Sequence, residues 1–179
     1  MAVSLRPYQE RMMNELHGAA RRRPVLVLPT GSGKSVIGGE LGYRVNHFGK
    51  RLLWVVHRKE LVEQACDHLK ARDLDVGVIP AGEPARPQSP AQVASVHTLP
   101  RGATPQADVL VYDECHHATA KTNTGLLERP EVQEMLWIGL TATPARLDGV
   151  GLGVAGWGAL VEGPSVRELI AQGYLCDYK

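Results

Sequence analysis

The chain has 179 residues, which is enough for one domain with a sizeable core. Its formal net charge of +1 at pH 7 is too small for the surface as a whole to attract nucleic acid. Its cysteines, Cys66, Cys115 and Cys176, have no paired spacing, which argues against a disulfide framework and a cysteine-rich zinc site and favours the reducing cytoplasm. The N-terminus lacks the apolar core of a signal peptide and no apolar run has the length of a membrane span, so no membrane partner is expected.

In chain order, helical spacing of apolar residues predicts a first helix that opens within 5–9 and ends at the basic run 21–24, which we interpret as a solvated connector rather than a nucleic-acid contact. Further helices are predicted at 36–45, 59–72 and 165–172, with a weakly helical stretch at 126–136 that Pro130 interrupts. Short apolar runs predict strands at 25–28, 52–56, 75–79, 92–96, 109–112 and 137–140. Loops are predicted at 80–90, 101–106, 119–125 and 146–158.

The strands are continuous apolar runs that alternate with helices, which is the pattern of a parallel sheet buried on both faces. The predicted fold class is therefore α/β, with a mostly parallel central sheet and helices on both faces. Gly38, Gly39 and Gly42 each weaken the second helix by up to about 1 kcal/mol relative to Ala, so its stability must come from packing. Ligands of such sheets bind beyond the carboxyl ends of the strands, where three polar clusters are expected.

The first polar cluster is the glycine-rich segment 29–35, between the first strand and the second helix. Its two glycines allow backbone turns that point N–H groups inward, where they and the positive end of the helix can cradle phosphate oxygens. Lys34 would reach the β- and γ-phosphates, and the Ser35 hydroxyl would hold Mg²⁺. The usual pattern has Gly six residues before the lysine, and here Leu28 stands there, so we predict a variant phosphate-binding loop. A plain glycine-rich turn is the alternative.

The second cluster, Asp113-Glu114, follows a buried strand, and the third, 141–143, follows another. Phosphoryl transfer to water needs charge neutralisation, a metal ion and an oriented nucleophile. Asp113 can hold Mg²⁺ together with Ser35, and Glu114 can orient or polarise the attacking water. An acidic turn without catalytic function is the alternative interpretation.

Histidines near the second cluster raise the question of a zinc site, which needs three or four converging N or S ligands. His57, His97 and Cys66 are scattered along the chain, which argues against one. His116 is instead predicted to hydrogen-bond toward Thr141 or Thr143, which would couple the nucleotide pocket to the end of a neighbouring strand.

These residues complete a family signature, because the chain resembles the N-terminal RecA-like domain of superfamily 2 helicases of the DEAD/DEAH-box, DExH type. The match covers nearly the whole chain, and its motifs I, II and III together are highly specific. In order, 5–9 resembles the Q motif, 29–35 motif I, 56–64 motif Ia, 95–99 a later strand-contacting motif, 113–116 the DExH box or motif II, and 141–144 motif III.

The resemblance implies ATP and Mg²⁺ as cofactors and assigns roles to individual residues. Gln9 would read the adenine edge, with Arg6 packing near the base. Arg58 and Thr98 would contact the phosphate backbone of a nucleic acid, with DNA favoured over RNA. The implied nucleotide-binding set is Arg6, Gln9, Thr30, Gly31, Ser32, Gly33, Lys34 and Ser35. The implied catalytic set is Lys34, Asp113, Glu114 and His116, with Ser35 and Asp113 as metal ligands and Thr141 and Thr143 as coupling residues.

The implied organisation is a RecA-like ATP-binding domain at 1–163 and a connecting segment at 164–179 toward a second RecA-like domain, in cis or in trans. The implied function is the ATP-binding half of a nucleic-acid-dependent ATPase that drives translocation or unwinding. Because the second domain supplies an arginine finger, the chain alone is expected to bind ATP·Mg²⁺ weakly, hydrolyse it slowly and unwind nothing. Alternatives are a double-strand DNA translocase or restriction-type motor subunit, a small P-loop kinase, and a non-catalytic binding module.

Overall fold

The computed structural model describes residues 4–79, 88–99, 104–119, 125–143 and 151–177. The strands in these ranges are β1 (Pro24–Val27), β2 (Leu52–Val56), β3 (Val76–Ile79), β4 (Ala91–Ser95), β5 (Val109–Asp113), β6 (Leu136–Thr141) and β7 (Ala159–Glu162). The main α-helices are α1 (Pro7–Ala19), α2 (Lys34–His47), α3 (Glu60–Lys70), α4 (Pro130–Gln133) and α5 (Val166–Ala171), and a further helical stretch covers 125–127. Short 3-10 turns occupy Ala20–Arg22, Cys115–Thr119 and Leu152–Ala155.

In the described ranges the seven strands form one sheet in the order β3-β4-β2-β5-β6-β1-β7, and every neighbouring pair is parallel. All carboxyl ends therefore lie along the same edge of the sheet. β1, which precedes the phosphate loop, lies beside β6, and β6 lies beside β5. The order thus brings the ends of the strands that carry the three predicted polar clusters next to one another.

Side chains of the strands alternate between two apolar cores, one on each face of the sheet. Trp54 of β2 faces the core that α1, α2, α3 and α5 cover, whereas Leu53 and Val55 face the opposite core. The second core is covered by α4 and the two 3-10 turns at Cys115–Thr119 and Leu152–Ala155. The predicted α/β class, with a parallel sheet covered on both faces, is confirmed.

The glycines of α2 stand where the helix approaches its neighbours closely. A Cβ on Gly38 would overlap the Trp54 ring of β2, and one on Gly42 would overlap Leu69 of α3. A Cβ on Gly39 would lie 2.7 Å from the backbone oxygen of His68, also in α3. The predicted close packing of α2 on the sheet is present, and α3 is a second packing partner.

The six predicted strands are present, with ends that differ by at most one residue. The seventh strand, β7, was not predicted because it has four residues, of which only Val161 is buried while Leu160 is 51% exposed. The predicted interruption at Pro130 is confirmed, because a helical stretch at 125–127 ends before it and Pro130 begins a new helix, α4, where its missing N–H costs nothing. Most of the predicted loop at 80–90, and parts of those at 101–106, 119–125 and 146–158, lie outside the described residues.

Candidate nucleotide-binding site

The phosphate loop links the end of β1 to the start of α2. Gly31 and Gly33 have φ angles of 81° and 87°, a left-handed conformation that side chains disfavour. Gly33 caps α2, and the first N–H groups of that helix have no intrahelical acceptor. The loop therefore presents backbone donors and the positive end of a 14-residue helix toward one point.

The start of α1 holds the loop in place. The carbonyl oxygen of Ser32 accepts a hydrogen bond from the Tyr8 hydroxyl and another, of 3.2 Å, from Gln9 Nε2. Gln9 Oε1 in turn accepts from the backbone N–H of Arg6 at 2.9 Å. Ser32 is fully buried and its hydroxyl donates to the Pro29 carbonyl at 2.6 Å. Gln9 is also buried, so in this structure its amide supports the phosphate loop.

Leu28 replaces the usual glycine without disturbing the loop, because only its backbone faces the site. Its side chain is fully buried, and a Cβ on Gly163 would overlap it. Its N–H donates to the Thr141 carbonyl at 2.9 Å and its own carbonyl accepts from Lys34 Nζ at 3.2 Å. The Lys34 ammonium is thus held at the end of β1 by a backbone oxygen that any residue at position 28 would supply.

A cavity of about 290 Å³ joins the phosphate loop to the acidic cluster. The residues that line it are Thr30, Gly31, Gly33, Lys34, Ser35, Trp54, Leu61, Gln64, Ala65, Asp113 and Glu114. Five of the eight residues in the implied nucleotide-binding set line this cavity, together with both acidic residues. Arg6, Gln9 and Ser32 do not line it, and Gln9 and Ser32 instead form the support of the loop.

Asp113 has the most perturbed carboxyl group of the site. Burial and, to a lesser degree, the charge of Glu114 raise its pKa to about 6, because the Glu114 N–H and the Lys34 charge offset them only in part. The Glu114 N–H donates to Asp113 Oδ1 at 3.0 Å. A buried carboxyl with a raised pKa beside a lysine in a cavity is typical of a functional site.

Glu114 is one of the few non-glycine residues in the described ranges with a left-handed backbone, and its φ is 48°. Such a backbone costs about 1–3 kcal/mol and is common at active sites. Glu114 Oε2 lies 3.3 Å from His116 Nδ1, which is 2.8 Å from Thr141 Oγ1. Thr141 Oγ1 also donates to the Thr143 carbonyl at 3.0 Å. The predicted contact of His116 with Thr141 is confirmed, and it links the acidic cluster to the end of β6.

The residues expected to contact nucleic acid lie farther along the same edge. Arg58 follows β2 and is exposed, so its guanidinium is accessible. Thr98 is only 7% exposed, and its hydroxyl donates to the Ser95 carbonyl at 2.8 Å. The Thr98 hydroxyl is therefore engaged inside the protein, which weighs against a direct contact with a phosphate.

The donors at the cavity fit magnesium and a triphosphate. Ser35 and Asp113 offer the hard oxygen ligands that Mg²⁺ prefers, and Lys34 and the loop N–H groups suit phosphate oxygens. Among the described residues, no group of three His, Cys, Asp or Glu side chains is arranged to hold a metal ion. No described helix has both the length and the apolar character needed to cross a bilayer.

Sequence reasoning did not single out every residue of the cavity. Leu61, Gln64 and Ala65 of α3 and Trp54 of β2 also line it. The signal for the α3 residues was available, since the stretch resembling motif Ia runs through Gln64. Trp54 gave no such signal, because an apolar residue in a buried strand is an ordinary core residue.

A parallel sheet with a phosphate loop after one strand and a DExH cluster after another defines a RecA-like domain of the helicase type. Residues 2–146 match the family model described as "Type III restriction enzyme, res subunit". The chain belongs to that family, and the predicted resemblance to superfamily 2 helicase domains is confirmed.

Individual relatives agree with this assignment. A "51.5 kDa protein" of Lactococcus phage (isolate 7-9) is 29% identical over 151 residues, which are 84% of this chain and 30% of that protein. The UvsW helicase from bacteriophage T4 superposes with a TM-score of 0.72 at 22% identity, over 89% of this chain and 60% of that one. A nuclease-deletion mutant of the Type ISP restriction-modification enzyme LlaGI, solved with a DNA substrate mimic, superposes with a TM-score of 0.73 at 14% identity, over 96% of this chain and 21% of that one. The chain thus spans less than two thirds of each of these relatives.

Proposed function

We propose that this chain is the ATP-binding half of a nucleic-acid-dependent motor, in which ATP hydrolysis drives translocation or unwinding together with a second RecA-like domain. The observation that carries the proposal is the shared cavity of the phosphate loop and the Asp113-Glu114 pair. Lys34 and Asp113 are distant in sequence, and a surface turn or a structural acidic cluster has no need to bring them together.

Each residue then has a defined task. The loop N–H groups and Lys34 bind the phosphates and neutralise their charge. Ser35 and Asp113 hold Mg²⁺, which supplies further neutralisation of charge on the transferred phosphoryl group. Glu114 orients the attacking water. Arg6 packs near the adenine, whereas the buried Gln9 amide supports the phosphate loop through Ser32.

His116, Thr141 and Thr143 couple this chemistry to the rest of the motor. A change at the Glu114 carboxylate reaches Thr141 through the imidazole of His116. Its Nδ1 lies 3.3 Å from Glu114 Oε2 and 2.8 Å from Thr141 Oγ1. Since Thr141 ends β6 and Thr143 follows it at the surface, the nucleotide state can alter the loop after β6. Movement of that loop relative to a partner domain would convert hydrolysis into motion.

The partners follow from the same proposal. Arg58 contacts the phosphate backbone, and its exposure at the carboxyl edge suits that role. DNA is favoured over RNA, which the DNA substrate mimic in the LlaGI structure supports. The family name and LlaGI also favour a restriction-type motor subunit or double-strand translocase as the second candidate.

The free thiols of Cys66, Cys115 and Cys176 suit a cytoplasmic location.

The test is single-turnover ATP hydrolysis with the protein in excess, with and without duplex DNA. We expect slow hydrolysis by the wild-type chain and its loss in Glu114→Gln, while ATP binding persists because the phosphate loop is intact. Glu63→Gln is the matched control, since Glu63 is an exposed residue of α3. Hydrolysis that survives unchanged in Glu114→Gln would contradict the proposed role of Glu114. Transfer of phosphate to an acceptor other than water would favour a kinase instead.

A further inference from the structure

The segment after α5 returns across the start of the chain. Ser165 caps α5 and its side chain forms a reciprocal capping box with Glu168. The chain then reverses at Gly173, whose φ is 73°, and the N–H groups of Tyr174 and Leu175 both donate to the Leu169 carbonyl, at 2.8 and 3.2 Å. This turn fixes the direction in which the side chains of Tyr174 and Leu175 point.

Both side chains contact residues of the proposed nucleotide site. The Arg6 guanidinium lies over the Tyr174 ring, 4.7 Å from its centroid. The centroids of the Tyr8 and Tyr174 rings are 5.5 Å apart. Leu175 Cδ2 lies 3.1 Å from the position that a Cβ on Gly31 would occupy. The segment Gly173–Leu175, here called the strap, thus spans from the residue that caps α1 to the phosphate loop.

Arg6, Tyr174 and Leu175 do not line the cavity that Lys34 shares with Asp113 and Glu114, although Gly31, which Leu175 approaches, does. With the terminal phosphates of a nucleotide in that cavity, the nucleoside extends beyond it. The proposed contact of Arg6 with the adenine would then place the nucleoside beside the strap.

We propose that Tyr174 is a positioning residue for nucleotide binding, which holds the Arg6 guanidinium against its ring so that Arg6 faces the nucleoside. This inference rests on the proposed function and adds to it a residue outside every predicted motif. Arg6 has a long side chain that loses rotational freedom on binding, and a ring that fixes it in advance lowers that cost. The effect belongs to the nucleoside half of the ligand, because the phosphates are held by the loop and Lys34.

The test compares competition by ATP and by inorganic tripolyphosphate, each with Mg²⁺, against a fluorescent ATP analogue. Tyr174→Leu keeps an apolar side chain but removes the cation–π contact, and we expect it to weaken ATP about two- to fivefold and leave tripolyphosphate unchanged. Tyr174→Phe keeps the ring and should match the wild type. Tyr43→Leu is the matched control, since Tyr43 is 44% exposed near the far end of α2.

A double-mutant cycle separates positioning from simple packing. If Tyr174 acts through Arg6, Tyr174→Leu adds no further loss of ATP affinity in an Arg6→Ala background. Should Tyr174→Leu fail to fold, Tyr174→Met also removes the ring and keeps an apolar side chain, and it must change the ratio of ATP to tripolyphosphate affinity. An unchanged ratio in a folded variant of Tyr174 that lacks the ring would overturn the inference and leave the proposed function intact. ATP binding that does not depend on Lys34, measured with Lys34→Ala, would refute the proposed function and the inference with it.

Discussion

At the scale of single residues, burial raises the pKa of Asp113 to about 6, and the adjacent Glu114 has a φ of 48°. Each feature costs folding free energy, and both fall on the pair that the sequence pattern assigns to metal binding and catalysis. The raised pKa follows from the position of Asp113 at the end of β5, whose other four residues are buried. Function therefore accounts for two residues that stability alone would disfavour.

The pKa of Asp113 predicts how metal-free protein responds to pH. An unfolded Asp titrates near 3.8, so the stability due to the raised folded pKa is complete below about pH 4 and is lost as the pH rises through 6. Asp113→Asn, neutral at every pH, should be more stable than the wild type at pH 8 by up to about 3 kcal/mol and differ little at pH 4. Urea denaturation in EDTA at both pH values measures this.

Asp67→Asn provides the control for that experiment, because Asp67 is an exposed residue of α3. It should change stability little at either pH. A difference between Asp113→Asn and the wild type that is the same at pH 4 and pH 8 would show that the Asp113 carboxyl group is not held at a raised pKa.

At the scale of elements, the sequence predicted every strand that is a continuous apolar run, because a buried parallel strand has no exposed face to break the run. It did not predict β7, an edge strand with one buried residue. The motifs placed the loop, the acidic pair and the contact of His116 with Thr141. They gave no signal for Tyr174 or Trp54, whose roles arise only from tertiary packing.

The glycines of α2 allow a test of packing at this scale. Gly38→Ala should destabilise the protein by about 1–3 kcal/mol, because the new methyl group meets the buried Trp54 ring. Gly18→Ala in α1 is the matched control, since no atom lies within 4 Å of its added Cβ, and it should stabilise the protein by about 0.5–1 kcal/mol. Chemical denaturation of both variants tests the prediction. Equal effects would mean that α2 does not pack closely against β2.

At the scale of the whole molecule, the predicted boundary at residue 163 divides a connecting segment from the RecA-like domain. The division stays a prediction, but the structure shows that the described part of the segment packs on the domain. Leu169 of α5 is fully buried in the core shared with α1 and α2, and the strap contacts the phosphate loop. The segment therefore links the nucleotide site to any domain that follows it.

This packing predicts that α5 contributes to global stability. Leu169→Ala should destabilise the chain by about 2–5 kcal/mol, because it leaves a cavity in the main core. Leu160→Ala, at a half-exposed position of β7, should cost less than about 1 kcal/mol. Urea denaturation curves compare the two substitutions. If Leu169→Ala costs no more than Leu160→Ala, then α5 is a separable connector and contributes nothing to the core.

The central claim is that the phosphate loop and the acidic pair hold one Mg²⁺–triphosphate unit. Calorimetric titration of ATP with and without Mg²⁺ tests it most directly, using the wild type, Lys34→Ala and Asp113→Asn, with the exposed Lys70→Ala as control. We predict that Lys34→Ala weakens ATP binding about tenfold or more in both conditions, whereas Asp113→Asn abolishes only the gain in affinity that Mg²⁺ provides. A gain from Mg²⁺ that persists in Asp113→Asn, or ATP affinity that is unchanged in Lys34→Ala, would contradict the account.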